Sequence, residues 1–233
     1  MIAPLSPAEW EVIGLSLKVS LVAVTLTLPI AYALAWLLAR RRFPGRVLLD
    51  ALVHLPLVVP PVVTGYVLLL LFGRTGPVGQ WLEASLGVSL VFRWTGAALA
   101  AAVMALPLMV RAMRLSIEAV DRRLVGAART LGASRWQAFR TITLPLSIPG
   151  VMAGTVLGFA RSIGEFGATI TFVSNIPGET RTLPLAIYSA LQVPGTDIAV
   201  ARLAVLAVLL SLGALLLSEW LVRRSLGKDS HVL

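Results

Sequence analysis

The sequence predicts an all-α integral membrane protein with about five transmembrane helices. Of its 233 residues, 58% are hydrophobic and only 13% charged, about half the charge of an ordinary soluble domain. The apolar residues gather in five runs, near Val12–Ala39, Val47–Phe72, Thr95–Met113, Leu144–Ile170 and Ile198–Val222. Each is close to or above the roughly 20 residues that carry a helix across hydrocarbon. Most of the basic residues lie between the runs or at their ends. One membrane domain therefore occupies 1–233, with no room for a separate soluble enzyme domain.

Composition removes several chemistries. There is no cysteine, hence no disulfide, thiolate catalyst or cysteine metal site. His54 and His231 are the only histidines and lie far apart. The start, MIAPLSPAEWEVIGLSLKVS, has no basic leader and no small-residue cleavage site, so the first run is expected to be a retained helix rather than a signal peptide.

The net charge of +9 raises the question of an anionic partner. Its distribution answers it. Arg40, Arg41, Arg42 and Arg46 fill the link between spans one and two. Arg111, Arg114, Arg122, Arg123, Arg129, Arg135 and Arg140 lie around the link between spans three and four. Arg223, Arg224 and Lys228 follow span five. These are 14 of the 20 basic residues, and all fall on one side if the spans alternate. Basic loops stay cytoplasmic, so the N-terminus is expected in the periplasm and the C-terminus in the cytoplasm. The charge needs no anionic ligand, nucleic acid included, to explain it.

The elements follow in order. Span one carries Lys18 near its outer end, where the side chain can snorkel to the interface. RRRFPGR (40–46) is a tight turn broken by Pro44 and Gly45. Span two contains Pro56, Pro60 and Pro61, which remove backbone donors and kink the helix; such a kink faces protein or a cavity. His54 within it is expected to be hydrogen-bonded in packing. Residues 73–94 form an outer loop with one short helix near Gln80–Leu86, and Trp81 and Trp94 suit the interfacial aromatic belt.

Span four carries Gly150, Gly154, Gly158, Gly164 and Gly167, a small-residue surface for close helix approach. Arg161 and Glu165 follow one turn apart, far toward the outer face by rise per residue. They either neutralise each other or belong to an outer gate. SNIPGETRTLPLAIYSALQVPGTD is too broken for a span; Thr182 is expected to cap a short helix over Leu183–Gln192. Span five ends with Glu219 and Arg223 in the favourable i, i+4 order.

Residues 121–145 hold the most distinctive pattern. Asp121 can cap a helix running to about Leu131, and Gly132 breaks it. Ser134 and Gln137 form an S-x-x-Q capping box for a second helix, expected to end near Pro145. Leu124, Ala127, Ala128 and Leu131 make an apolar stripe, with Arg122, Arg123 and Arg129 largely off it. Two readings stay open on these residues alone. The pair packs into a groove on a soluble partner, or it lies on anionic lipid.

The spacing A127-A128-x3-G132-x9-I142-x-L144-P145 resembles the EAA signature of type I ABC importer permeases. The resemblance implies a coupling element that docks on a cytoplasmic ATPase. It places Gly126, Ala127, Ala128, Gly132, Ile142, Leu144 and Pro145 on the motif, with Arg129, Leu131 and Ser134 between them. The usual glutamate position is Gly126 here; Glu118-Ala119-Val120 lies at the wrong distance from Gly132 to replace it.

HLPLVVPPVVTGY, ARTLGASRW, TITLPLSIPG and FARSIGEFGATITFVSNIPGETRTLP further resemble molybdate transporter permeases of Gram-negative bacteria, over roughly Trp10 to Trp220. The sulfate/thiosulfate branch shares the GEFGA core, but TITFVSNIPGETRT is closer to the molybdate form. The resemblance implies an inner-membrane homodimer working by alternating access. Two ATPase subunits holding ATP and Mg, and a periplasmic oxyanion-binding protein, would complete it. Arg161, Ser162, Glu165, Thr169, Thr171 and Ser174 are the candidate pathway and gate residues. The chain itself has no phosphate loop: in the run ending GKDS (227–230), Val222 stands at the first glycine position and Asp229 at the Ser/Thr. A membrane enzyme would need a nucleophile–base pair or metal cluster that this sequence does not supply. A passive channel would need no ATPase.

Overall fold

The computed structural model describes residues 5–226 and, in the last helix, side chains through Leu217 together with Trp220. The Glu219–Arg223 pair, Arg224, Lys228, His231 and the GKDS run lie outside the described side chains.

Helix α1 (Pro7–Arg40) begins with a reciprocal cap between Ser6 and Glu9, with Pro7 in its first turn. It is longer than the expected Val12–Ala39 at both ends. The second run departs further from expectation. It forms two helices, α2 (Arg46–Val58) and α3 (Pro61–Phe72), bent by 116°. Pro60 and Pro61 explain the break. Neither can donate a backbone bond, and proline pushes its predecessor out of the helical region; Val59 and Pro60 are both extended, at ψ 138° and 136°.

The link after α3 holds α4 (Pro77–Leu86), and α5 (Trp94–Ala119) follows. Then come α6 (Arg122–Thr130), α7 (Arg135–Ala138), a π-helical turn (Phe139–Thr143) and α8 (Leu144–Ile163). Two expectations fail along this stretch. The helix opened by Ser134 does not end near Pro145. The Leu144 amide donates to the Phe139 carbonyl five residues back, and Pro145, in the first turn of α8, needs no donor there. Nor does span four run to Ile170. It stops at Ile163, turns over 164–166 and restarts as α9 (Gly167–Val173). Helix α10 (Leu183–Leu191) and the long α11 (Asp197–Leu226) complete the chain. By length and composition α1, α5, the run Arg135–Ile163 and α11 can each cross a membrane, and the bent α2–α3 pair makes a fifth crossing if it is one span.

Helix α5 is the centre of the packing. Its small residues, among them Ala97, Ala98, Ala101 and Ala105, are buried and let α1 and α8 come close. From α8, Gly150, Gly154 and Gly158 face α5 at four-residue spacing; a Cβ on Gly158 would meet Met109 Sδ at 2.6 Å. That is the small-residue contact the sequence pattern implies. Phe72, Phe172, Val173 and Met104 fill the half toward the start of α5, and Leu38, Met109, Met113 and Ile117 the half toward its end.

Polar contacts fix the ends. Arg40 at the end of α1 donates to the Ile117 and Val120 carbonyls at 2.8 and 3.0 Å, satisfying the orphan acceptors at the end of α5. Arg114 of α5 bridges Asp50 on α2 and Glu118 one turn on. His54 bonds within α2 to the Asp50 carbonyl at 2.8 Å, a packing role as expected. Lys18 lies 3.7 Å over the Trp94 ring. At the other end of α1, buried Glu9 accepts from Arg202 of α11 at 2.6 Å.

Thr182 does not cap α10 with its side chain. The buried Leu183 amide donates instead to Ser16 Oγ of α1 at 2.7 Å, while Ser16 donates to Val12 O. A hydroxyl 167 residues away supplies the cap. Ser16→Ala leaves that amide unpaired, and is expected to destabilise the folded protein by about 1–3 kcal/mol. Thermal unfolding in detergent should show a lower midpoint for Ser16→Ala and recovery in Ser16→Thr; equal midpoints for Ser16→Ala and the native chain would remove this role.

Candidate functional site

Two places combine unusual backbone with polar side chains: the 121–145 loop and the break between α8 and α9.

The loop is built by local chemistry. The Asp121 carboxylate accepts from the Arg123 amide at 2.8 Å and starts α6. Gly132, at φ +92°, ends it, a left-handed conformation that glycine takes without a Cβ clash. The Ala133 amide then donates back to the Ala128 carbonyl at 3.0 Å. Ser134 and Gln137 bond each other's backbone at 3.1 and 2.7 Å. The caps anticipated at Asp121 and Ser134, and the break at Gly132, are thus present.

This element projects rather than packs. No residue of α6 is buried. Leu131 is 88% exposed and Leu124 48%; Gly126, Ala127, Arg129, Gly132 and Ser134 are exposed and Ala128 half-buried. A Cβ on Gly126 or Gly132 would meet nothing within 4 Å. Ile142, Leu144 and Pro145 lie apart from that tip, at the root where the π-turn enters α8, with Ile142 half-buried and the other two exposed. The root is anchored by aromatics. Phe139 stacks on Trp136 at 5.3 Å and meets Tyr32 and Trp36 of α1 edge-on, and Tyr32 hydroxyl pairs with Ser147 at 2.9 Å. The arrangement is a small exposed apolar surface on a firm base.

The second place is the α8–α9 break. Glu165 is buried, and its carboxylate pairs with Arg161 Nη2 at 2.6 Å. Its other oxygen accepts from the Ala168 amide at 2.8 Å, in the first turn of α9. One carboxylate therefore neutralises a cation and caps a helix start, which offsets the penalty of burying charge. Ser162 beside them is buried, its hydroxyl without a protein partner.

The cluster lies level with the α2–α3 break. Gly167 abuts Pro61, at the α2–α3 break, and Ala168 packs with Ala101 and Met104 in the middle stretch of α5. The rise-per-residue estimate assumed one straight span, and α8 is not one. Of the six pathway candidates, Arg161, Ser162 and Glu165 come together. Thr169 is buried in α9. Thr171 lies in the contact with α3, where a Cβ on Gly65 would meet its Cβ at 2.9 Å. Ser174 caps the C-terminal end of α9, at φ +65° and ψ −159°, with its carbonyl bonded by Thr180 Oγ at 3.1 Å. The six do not form a single wall.

Sequence reasoning missed three contacts that hold these places: Arg40 on the end of α5, Tyr32 with Ser147, and Glu9 with Arg202. Their partners lie 77 to 193 residues apart, beyond the reach of any local pattern.

Comparison with known proteins agrees with this architecture. Residues 28–226 match the family described as "Binding-protein-dependent transport system inner membrane component". The chain is 58% identical over 221 residues to the molybdenum transport system permease protein ModB of Escherichia coli strain K12, covering 95% of this chain and 96% of that one. It is 43% identical over 159 residues to the sulfate transport system permease protein CysT of the same organism, covering 68% and 57%. Among solved structures, a bacterial ABC transporter for import of the acidic polysaccharide alginate superposes with a TM-score of 0.74 at 22% identity, over 94% of this chain and 80% of that one. The MetNI methionine transporter gives 0.68 at 16%, over 94% of both. This multi-pass chain, a transporter subunit and not an enzyme, belongs to the family of inner-membrane components of binding-protein-dependent transport systems.

Proposed function

We propose that the chain is the permease subunit of an ATP-driven importer that carries molybdate, and by the same chemistry tungstate, across the inner membrane. The identity to molybdenum permeases over nearly the whole chain supports the substrate; the sulfate branch is the second reading, and its lower identity over a shorter stretch weighs against it.

The projecting 121–145 element carries the coupling role. An 88% exposed Leu131 beside exposed Leu124 and Ala127 is a surface that a soluble partner would cover. That partner is an ATPase, which binds ATP and Mg; this chain's sequence carries no phosphate-loop motif for them. Two copies of the permease enclose the pathway, two ATPases close beneath them, and a periplasmic oxyanion-binding protein loads the outer face. The basic links set the cytoplasmic side, with the N-terminus periplasmic and the C-terminus cytoplasmic.

Arg161 and Glu165 support gating. An intramembrane ion pair at a helix break is a functional candidate by position. It can hold α8 to α9 in one conformation and release the guanidinium toward a passing oxyanion in another. Exposed Ser174 just past α9, with half-buried Thr171, would then supply weakly binding polar surface, while Thr169, buried in α9, would not. Specificity rests chiefly with the binding protein, so the membrane path needs no tight site.

Three measurements test this reading. In proteoliposomes holding the complete transporter, labelled molybdate uptake should be competed by molybdate and tungstate and barely by sulfate; sulfate as the stronger competitor moves the chain to the sister branch. Gly132→Arg should leave ATP hydrolysis running while uptake falls at least about tenfold, more than 1.4 kcal/mol of coupling. Gly132→Ala, which carries the backbone strain of about 1–2 kcal/mol without the charge, should retain most uptake. Coupled transport by Gly132→Arg would take the docking role away from this loop. For the gate, the double variant Arg161→Gln/Glu165→Gln should lose uptake or raise basal ATP hydrolysis; native values for both would end the gating role.

A further inference from the structure

Helices α2 and α3 together run from one end of α5 to the other. Val53 of α2 shares a core cluster with Met109 and Met113, toward the end of α5. Leu68 and Phe72 of α3 share another with Ala97 and Ala101, toward its start. The α2–α3 break therefore lies midway along α5, between two apolar stretches.

That break leaves backbone acceptors over. In an unbroken helix the Pro56 and Leu57 carbonyls would each accept from the residue four positions on. Those residues are Pro60 and Pro61, which have no N–H. The one amide between, that of Val59, donates to the Leu55 carbonyl at 3.0 Å. The segment also lies at the surface: Leu57 and Pro60 are exposed, and Val58 is 82% exposed. The α8–α9 break is open as well. Gly164 is exposed, and a Cβ on it would have only the Ala160 carbonyl, at 3.8 Å, within 4 Å. The two breaks adjoin, since a Cβ on Gly167 would meet Pro61 at 2.8 Å.

Hydrocarbon offers no donor to such carbonyls. Irregular backbone at that level is tolerated only where protein covers it or where it lines water. Water there needs a protein wall between itself and lipid, and among the described residues this chain leaves 57–60 and Gly164 uncovered. Helix α11 gives the contrast. Val205, Val208 and Leu212 are also exposed, but they sit on an unbroken helix, Asp197–Leu226, which meets lipid without cost to its backbone. Of these two surfaces, only the one with the breaks is incomplete in a single copy.

We infer that a second copy of this chain covers the face carrying both breaks, and that water held between the copies bonds the carbonyls of Pro56 and Leu57. This rests on the two-copy reading above and adds which surface the copies share.

The chain has no cysteine, so single cysteines report on it without background. The test uses the permease–ATPase complex in lipid nanodiscs, where both membrane faces are open to reagent. A charged, water-soluble methanethiosulfonate should modify Val58→Cys and Gly164→Cys at least about tenfold faster than Val208→Cys on α11. A flexible bismaleimide should join two Val58→Cys permeases into a covalent dimer and leave Val208→Cys monomeric. If Val58→Cys does not assemble, Leu57→Cys carries the same expectation. Modification at the break as slow as at Val208 overturns the proposal, because the face would then be dry. A dimer formed through Val208 and not through the break also overturns it, moving the shared surface to α11. Native mass spectrometry of the same complexes separates the two levels. A single permease copy per complex ends the two-copy reading and this proposal with it. Two copies with no crosslink through the break end this assignment alone.

Discussion

A backbone amide inside a bilayer has no water to bond when its helix stops, and this chain stops two helices at the same depth. The breaks at 59–60 and at 164–166 meet where Gly167 abuts Pro61. Glu165 makes the meeting tolerable. Its carboxylate takes the first-turn amide of α9 with one oxygen and the Arg161 cation with the other. On the opposite side, Pro60 and Pro61 have no amide hydrogen to satisfy. The two breaks are solved by different means, one by removing donors and the other by supplying an acceptor.

The rest of the packing serves these breaks. Helix α5 offers alanines to α1 and methionines to the glycines of α8, so three long helices approach closely without large side chains between them. With little hydrophobic gain available between helices in lipid, such close contact is what holds them. Arg40 then ties the end of α1 to the end of α5, fixing the point from which α6 departs. The loop can stand clear of the bundle because its base is fixed by arginine and aromatics, and its own caps hold its shape.

Legibility in the sequence followed the range of each interaction. Asp121, Gly132, Ser134 and Gln137 act within a few residues, and their pattern gave the loop correctly. Basic clustering and apolar length gave the crossings. Hydropathy could not see that Val47–Phe72 and Leu144–Ile170 each contain a stop, because both sides of each stop are apolar. The prolines announced a kink in the first case but not a bend of 116°; in the second, Gly164 and Gly167 looked like packing residues. Thr182 had the right type and position to cap α10, yet lost that role to Ser16, which no local pattern reveals.

The π-turn has a mechanical meaning. By widening one turn instead of breaking the helix, Phe139–Thr143 makes Arg135–Ile163 a single rod of 29 residues, about 43 Å long. Trp136 and the loop tip stand at one end; Arg161 stands at the other, facing a carboxylate that belongs to the next segment. A tilt of about 5° at the lower end carries the upper end roughly 4 Å, more than the 2.6 Å that separates Arg161 from Glu165. In the gating role proposed for Arg161 and Glu165, the rod would be the lever arm that carries angular work at the loop end to that ion pair.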